Sequence, residues 1–91
     1  MRATKIKMKS GCDTSNDLLE INDIYITECK EEKYYKKASI YDCVKATPGS
    51  IQVDITPYPN LVDALSANGE KYVKSTPDNT TVDNLLNLPR E

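Results

Sequence analysis

In the clearest stretch of this chain, apolar residues recur at every second position. Ile51, Val53 and Ile55 alternate with Gln52, Asp54 and Thr56, the period of a strand with one face buried and the other in water. The same period runs through Thr4, Ile6 and Met8, which alternate with Lys5, Lys7 and Lys9, and through Ile24 and Ile26 against Asp23, Tyr25 and Thr27. A chain patterned in this way builds a sheet. Its core must be aliphatic, because Trp and Phe are absent and the only aromatics are six tyrosines, whose hydroxyls need a partner or water when buried. At 91 residues one domain is expected, with a stability on the order of 5–14 kcal/mol.

Turn chemistry divides the strands. Residues 11–17, "GCDTSND", separate the first two, which are close enough in sequence to pair as a hairpin with a long loop. The stretch "KEEKYYKK" is charged throughout and reads as a solvated connection. In "SIYDCVKATPG", Ser39 is a candidate N-cap, Asp42 completes an [ST]-x-x-[DE] box, and Ile40, Cys43 and Val44 share a face, with Pro48 and Gly49 as the stop. That predicts a helix of about two turns, which forms by docking. Pro57 and Pro59 make "PYPN" a turn or an edge. "LVDALS" admits a helical turn or a strand; the strand is favoured, because "EKYVKS" follows across Asn68-Gly69 and completes a hairpin. The expected fold is α+β: a small antiparallel sheet in the order β-β-α-β-β-β with one short helix.

The formal charge is −2, so the whole molecule does not attract polyanions. Residues 1–45 nevertheless hold nine of the twelve basic side chains against eight acidic ones, while residues 46–91 hold three against six. An anion-contacting face therefore belongs to the N-terminal half. The row Lys5, Lys7 and Lys9, with Tyr34 and Tyr35 set between lysines, is the candidate binding feature. The competing reading is a solubilising strand face guarded by lysine.

Catalytic chemistry is poorly supplied. There is no histidine, which removes the commonest general base and metal ligand and excludes Ser-His-Asp or Cys-His sites within one chain. Glu31-Glu32 sits in a charged run and reads as solvated surface. Cys12, Cys29 and Cys43 are odd in number and without a C-x-x-C pair, so free thiols are expected and a zinc site is not. Cys43 fits a small core hydrophobe and Cys12 an exposed turn. Three scattered glycines cannot form a phosphate cradle. No cofactor, metal or catalytic residue is expected. The start of the chain has no apolar segment behind its basic residues, and no apolar run approaches a membrane span; the reading is a soluble, cytoplasmic protein, in which the sequon Asn79-Thr80-Thr81 is idle.

The tail carries the most specific pattern. In "KYVKSTPDNTTVDNLLNLPR" the residues Tyr72, Val73, Lys74, Ser75, Asp78, Asp83, Asn84, Leu85, Leu86, Leu88 and Pro89 resemble the closing signature of the small bacterial and phage domain-of-unknown-function family numbered 3892: a Tyr-aliphatic-Arg-Thr-like strand, an Asp-containing turn and then Asp-Asn-Leu-Leu-x-Leu-Pro. Lys74 stands where arginine is usual and Ser75 where threonine is usual. The resemblance implies an α+β fold, a sheet-like segment at 61–66 and no assigned activity.

The three leucines pose a choice between a lid on the domain's own core and a motif offered to a partner. Asp83 can cap a short turn that aims Leu86 and a neighbour at the sheet before Pro89 ends it. Burying each leucine is worth roughly 1.5–3 kcal/mol, so the lid is expected, with residues 76–91 docked on a single domain. The functional expectation is a non-enzymatic module that binds another protein, as a monomer or small homo-oligomer. The alternative is a nucleic-acid-binding accessory protein that uses the lysine row and residues 30–37.

Overall fold

The computed structural model describes residues 1–76 and 83–91. Asp78 of the tail signature and the sequon Asn79-Thr80-Thr81 lie outside the described residues. The fold is α+β, with six strands and one α-helix among the described residues, in the order β1 (Arg2–Met8), β2 (Ile21–Thr27), β3 (Lys33–Lys36), α1 (Lys37–Ala46), β4 (Gln52–Val53), β5 (Leu61–Leu65) and β6 (Lys71–Ser75). Four strands form one sheet in the order β3-β2-β1-β4, and β5 and β6 form a separate hairpin. Helix α1 packs against both.

The expected hairpin of β1 and β2 is present, with antiparallel pairing across a long loop that contains a 3-10 turn at Leu18–Glu20. Its alternation is interrupted twice. Register shifts fall between Ala3 and Lys5 and between Lys7 and Met8, so Thr4 and Asn22 are extra residues in the ladder. Each bulge slips the phase by one, and the buried set becomes Ala3, Ile6 and Met8 with Ile21, Ile24 and Ile26. Thr4, expected inside, is only half-buried.

The charged stretch is not merely a connection. Its second half is β3, an edge strand whose residues pair antiparallel with 23–26 of β2. An edge strand needs few apolar residues, and flanking lysines suit its open side. Because β3 runs directly into α1, the helix begins at Lys37 and Lys36 stands at the N-cap with no side-chain cap bond. Ser39 lies inside the helix, which is 10 residues long. It buries Ile40, Tyr41 and Val44, and also Lys37.

The cleanest alternation yields the shortest strand. Ile51 and Val53 are buried, but only Gln52 and Val53 join the sheet, parallel to Arg2 and Ala3 of β1. The sheet is therefore mixed, not wholly antiparallel. The chain then turns away at the cis Thr56-Pro57 peptide and at Tyr58, whose φ is 59°. "LVDALS" is a strand: β5 pairs with β6 from Leu61↔Ser75 to Leu65↔Lys71 around Asn68-Gly69, with Gly69 at φ 79°.

The tail takes the edge of β1 that β4 leaves open. Ile6 donates its N–H to the Pro89 carbonyl at 2.9 Å, and Glu91 donates to the Ile6 carbonyl at 3.1 Å. Before that strand-like contact, a 3-10 turn at Asn84–Asn87 buries Leu85 and Leu86, and Leu88 follows into the same core. The leucines are 0, 5 and 4 % exposed. They are a lid.

Candidate functional site

The two bulges that set the inner face also set the outer one. With Ile24 and Ile26 inside, Asp23 and Tyr25 point outward; Lys5 and Lys7 join them from β1, and Tyr34 and Lys36 from β3. The register places Lys5 opposite Tyr25 and Tyr25 opposite Tyr34, with Lys7, Asp23 and Lys36 in the next row. The Tyr25 and Tyr34 rings meet edge to face, with centroids 5.1 Å apart. Lys5 Nζ lies 5.0 Å from the Tyr25 centroid and Lys7 Nζ 4.7 Å from that of Tyr34. Such contacts are worth about 0.5–1 kcal/mol each at exposed sites, a modest bias toward this arrangement of the four side chains.

Glu91 reaches this platform from the tail. Its carboxylate is 3.3 Å from Lys5 Nζ. The Tyr34 hydroxyl is shielded from solvent and no group meets strict hydrogen-bond geometry with it. The Glu91 carboxylate is still near enough to act on it: burial first, then Glu91, push the Tyr34 pKa up to about 12. Reciprocally, the Tyr34 hydroxyl and then Lys5 hold the Glu91 carboxyl below its ordinary value.

Of the five candidate binding residues, Lys5, Lys7 and Tyr34 meet here. Lys9 does not: beyond the second register shift its ammonium pairs with Glu70 at 3.4 Å. Tyr35 points to the opposite face, as the partner of Ile24, and donates its hydroxyl to the Glu31 carbonyl at 2.7 Å. There it borders a cavity of about 280 Å³ with Ile26, Ile40, Cys29 and Cys43. Sequence reasoning missed Tyr25, although its alternation with Ile24 and Ile26 already placed it on the lysine face.

The remaining polar clusters brace the fold. Lys37, 8 % exposed, donates to the Leu19 carbonyl and pairs with Glu70, joining α1 to the long loop and the β5–β6 hairpin. Its hydrogen bond, ahead of its charge, lowers the Glu70 pKa. Cys12 donates its thiol to Glu20 at 2.6 Å and Ser15 donates to the other carboxylate oxygen at 2.6 Å. The Glu20 bond is the main cause of a raised Cys12 pKa, which keeps that thiol protonated and a weak nucleophile. Cys43 is half-buried, not fully inside the core. Among the described residues, no three His, Cys, Asp or Glu side chains converge as a metal site.

The tail signature reads as architecture. Asp83 accepts from the Leu85 N–H at 2.9 Å, from the Ser75 N–H at 3.0 Å and from the Ser75 hydroxyl at 2.8 Å. It therefore caps the turn and ties it to β6. Val73, Ser75 and Asn84 are buried, Tyr72 is half-buried, and Lys74 is exposed on β6. Arg90, which no sequence argument singled out, donates to the carbonyls of Asp13, Ser15 and Leu86 at 2.8–2.9 Å and so locks the long loop to the tail.

A mixed sheet with a tyrosine-lysine face, backed by one helix, a hairpin and a leucine lid, defines a small α+β domain. The chain belongs to the DUF3892 family, described as a protein of unknown function, whose sequence model matches residues 4–89. No curated protein and no solved structure matches it. Among the described residues, no helix is long and apolar enough to cross a membrane.

Proposed function

We propose that this protein is a non-enzymatic module that binds another protein through the outer face of its four-stranded sheet. The observation that carries the reading is the platform of Lys5, Tyr25, Tyr34 and Lys7, joined by ring-ring and ammonium-ring contacts. Tyrosine offers a large contact area at low entropic cost and is enriched where proteins meet. A nucleic-acid backbone would ask for an extended basic field that neutralises several phosphates, and this face offers only a local one. Here Lys5 is engaged by Glu91, and Asp23 stands in register between Lys7 and Lys36. The absence of histidine from the whole chain supports binding over catalysis. The working picture is a cytoplasmic protein of a bacterial or phage-infected cell, monomeric or a small homo-oligomer.

The test compares proteins retained by wild type, by a Tyr25→Ser variant and by Lys7→Glu, after thermal melts establish that both variants fold. A partner retained by wild type and lost from both supports the reading, and undiminished retention by both removes it. Fluorescence anisotropy with mixed-sequence single strands covers the alternative. Sub-micromolar binding at about 200 mM salt, abolished by Lys7→Glu, would reassign the face to nucleic acid.

A further inference from the structure

The protein-binding reading leaves the chemistry of the partner open, and Glu91 narrows it. Its backbone is fixed by the N–H bond to the Ile6 carbonyl at 3.1 Å, which delivers the side chain onto the sheet's outer face. There the carboxylate meets Lys5 at 3.3 Å, beside a Tyr34 hydroxyl that is shielded from water and lacks a partner in good geometry. Lys7 is not ion-paired among the described residues and hovers 4.7 Å from the Tyr34 ring. An ammonium beside the Glu91 carboxylate, a second over the Tyr34 ring and a shielded hydroxyl make a receptor for a carboxylate.

We infer that Glu91 is an intramolecular stand-in for an acidic side chain of the partner, and that an acidic peptide segment binds the Lys5, Tyr25, Tyr34 and Lys7 platform by displacing it. The inference rests on the protein-binding reading and specifies its ligand. Displacement is feasible because the ion pair of the Glu91 side chain is exposed, with Lys5 and Glu91 at 43 and 51 %, and the carboxylate's other neighbour, the Tyr34 hydroxyl, would be met in the same way by a ligand carboxylate. Exposed ion pairs are weak and are screened by salt. Moving the Glu91 side chain off Lys5 leaves the backbone bond to Ile6 intact, so the lid need not open.

The probe is a synthetic oligo-glutamate peptide, with an oligo-glutamine peptide of equal length as control, titrated into isotopically labelled protein and followed by amide chemical shifts. The expected result is weak, salt-sensitive binding of the glutamate peptide alone, with shifts centred on Lys5, Lys7, Tyr25 and Tyr34. Glu91→Gln keeps the backbone contact and removes the competing charge. It should tighten binding about two- to five-fold, the worth of one exposed ion pair. Adding Lys5→Gln to that variant should cancel the gain. Equal binding of both peptides, shifts centred elsewhere, or an affinity unchanged by Glu91→Gln would overturn the inference. So would a single-stranded oligonucleotide that outcompetes the peptide at equal salt. Loss of the cellular partner from Tyr25→Ser, with Glu91→Gln indifferent to the peptide, would sink this inference and leave the protein-binding reading standing.

Discussion

Replacing Asp83 with alanine should destabilise this domain more than the loss of an ordinary helix cap. Three donors converge on its carboxylate: the Leu85 N–H, the Ser75 N–H and the Ser75 hydroxyl, at 2.9, 3.0 and 2.8 Å. Losing the cap alone costs about 1 kcal/mol. Ser75, however, is 5 % exposed, so its two donors would be stranded away from water, at a further cost of about 1–3 kcal/mol. The sum, about 2–4 kcal/mol, is a large share of the margin of a 91-residue domain. It corresponds to a fall in Tm of roughly 10–25 °C. Thermal melts followed by circular dichroism give the number, and a double-mutant cycle with Ser75→Ala isolates the tie between β6 and the tail. Asp83→Asn retains a carbonyl acceptor and should recover part of the loss. A Tm for Asp83→Ala within about 2 °C of wild type, or additive effects with Ser75→Ala, would refute the claim that this carboxylate joins the lid to the hairpin.

Two further substitutions probe the same architecture. Leu85→Ala, at a fully buried position, should cost about 2–5 kcal/mol in denaturant melts, whereas Leu65→Ala, 55 % exposed, should cost less than about 0.5 kcal/mol; equal effects would argue against the docked tail. Glu70 governs part of the acid response. Its pKa lies below the ordinary 4.5 in the folded state, so its contribution is fully present above that value and is lost as pH falls through the lower folded value. Glu70→Gln should therefore flatten the fall in stability on the acid side of pH 4.5; an unchanged slope would mean the pairing with Lys37 is not formed in solution.

Much of this fold is legible in the sequence where one physical signal dominates. The β5–β6 hairpin follows from Asn68-Gly69 between two short runs, and the lid follows from three leucines that a small core could not spare. The failures have equally specific causes. The bulges at Thr4 and Asn22 each invert a pattern whose period is two, and nothing local in "TKIKMKS" or "INDIYITE" announces them. The edge strand Lys33–Lys36 is as polar as a loop because one side of it faces water. Lys37 looked like surface, yet it is buried because Glu70, 33 positions away in the chain, meets it only in the folded state. The parallel pairing of β4 with β1 is short because the tail takes the rest of that edge, a competition that no single segment encodes. The platform was half visible: alternation put Lys5, Lys7 and Tyr25 on outward faces, but their meeting with Tyr34 depends on β3 being a strand.

The central claim, that a protein partner docks on the outer face of the sheet, is tested most directly by site-specific photocrosslinking in cells. A benzophenone amino acid placed at Lys36, exposed on the same outer face in register with Asp23 and just outside the platform, should yield a discrete crosslinked protein. The same residue at Asp63, exposed on the β5–β6 hairpin, should yield none. Crosslinks from Asp63 with none from Lys36 would contradict the account and move the binding surface to the hairpin.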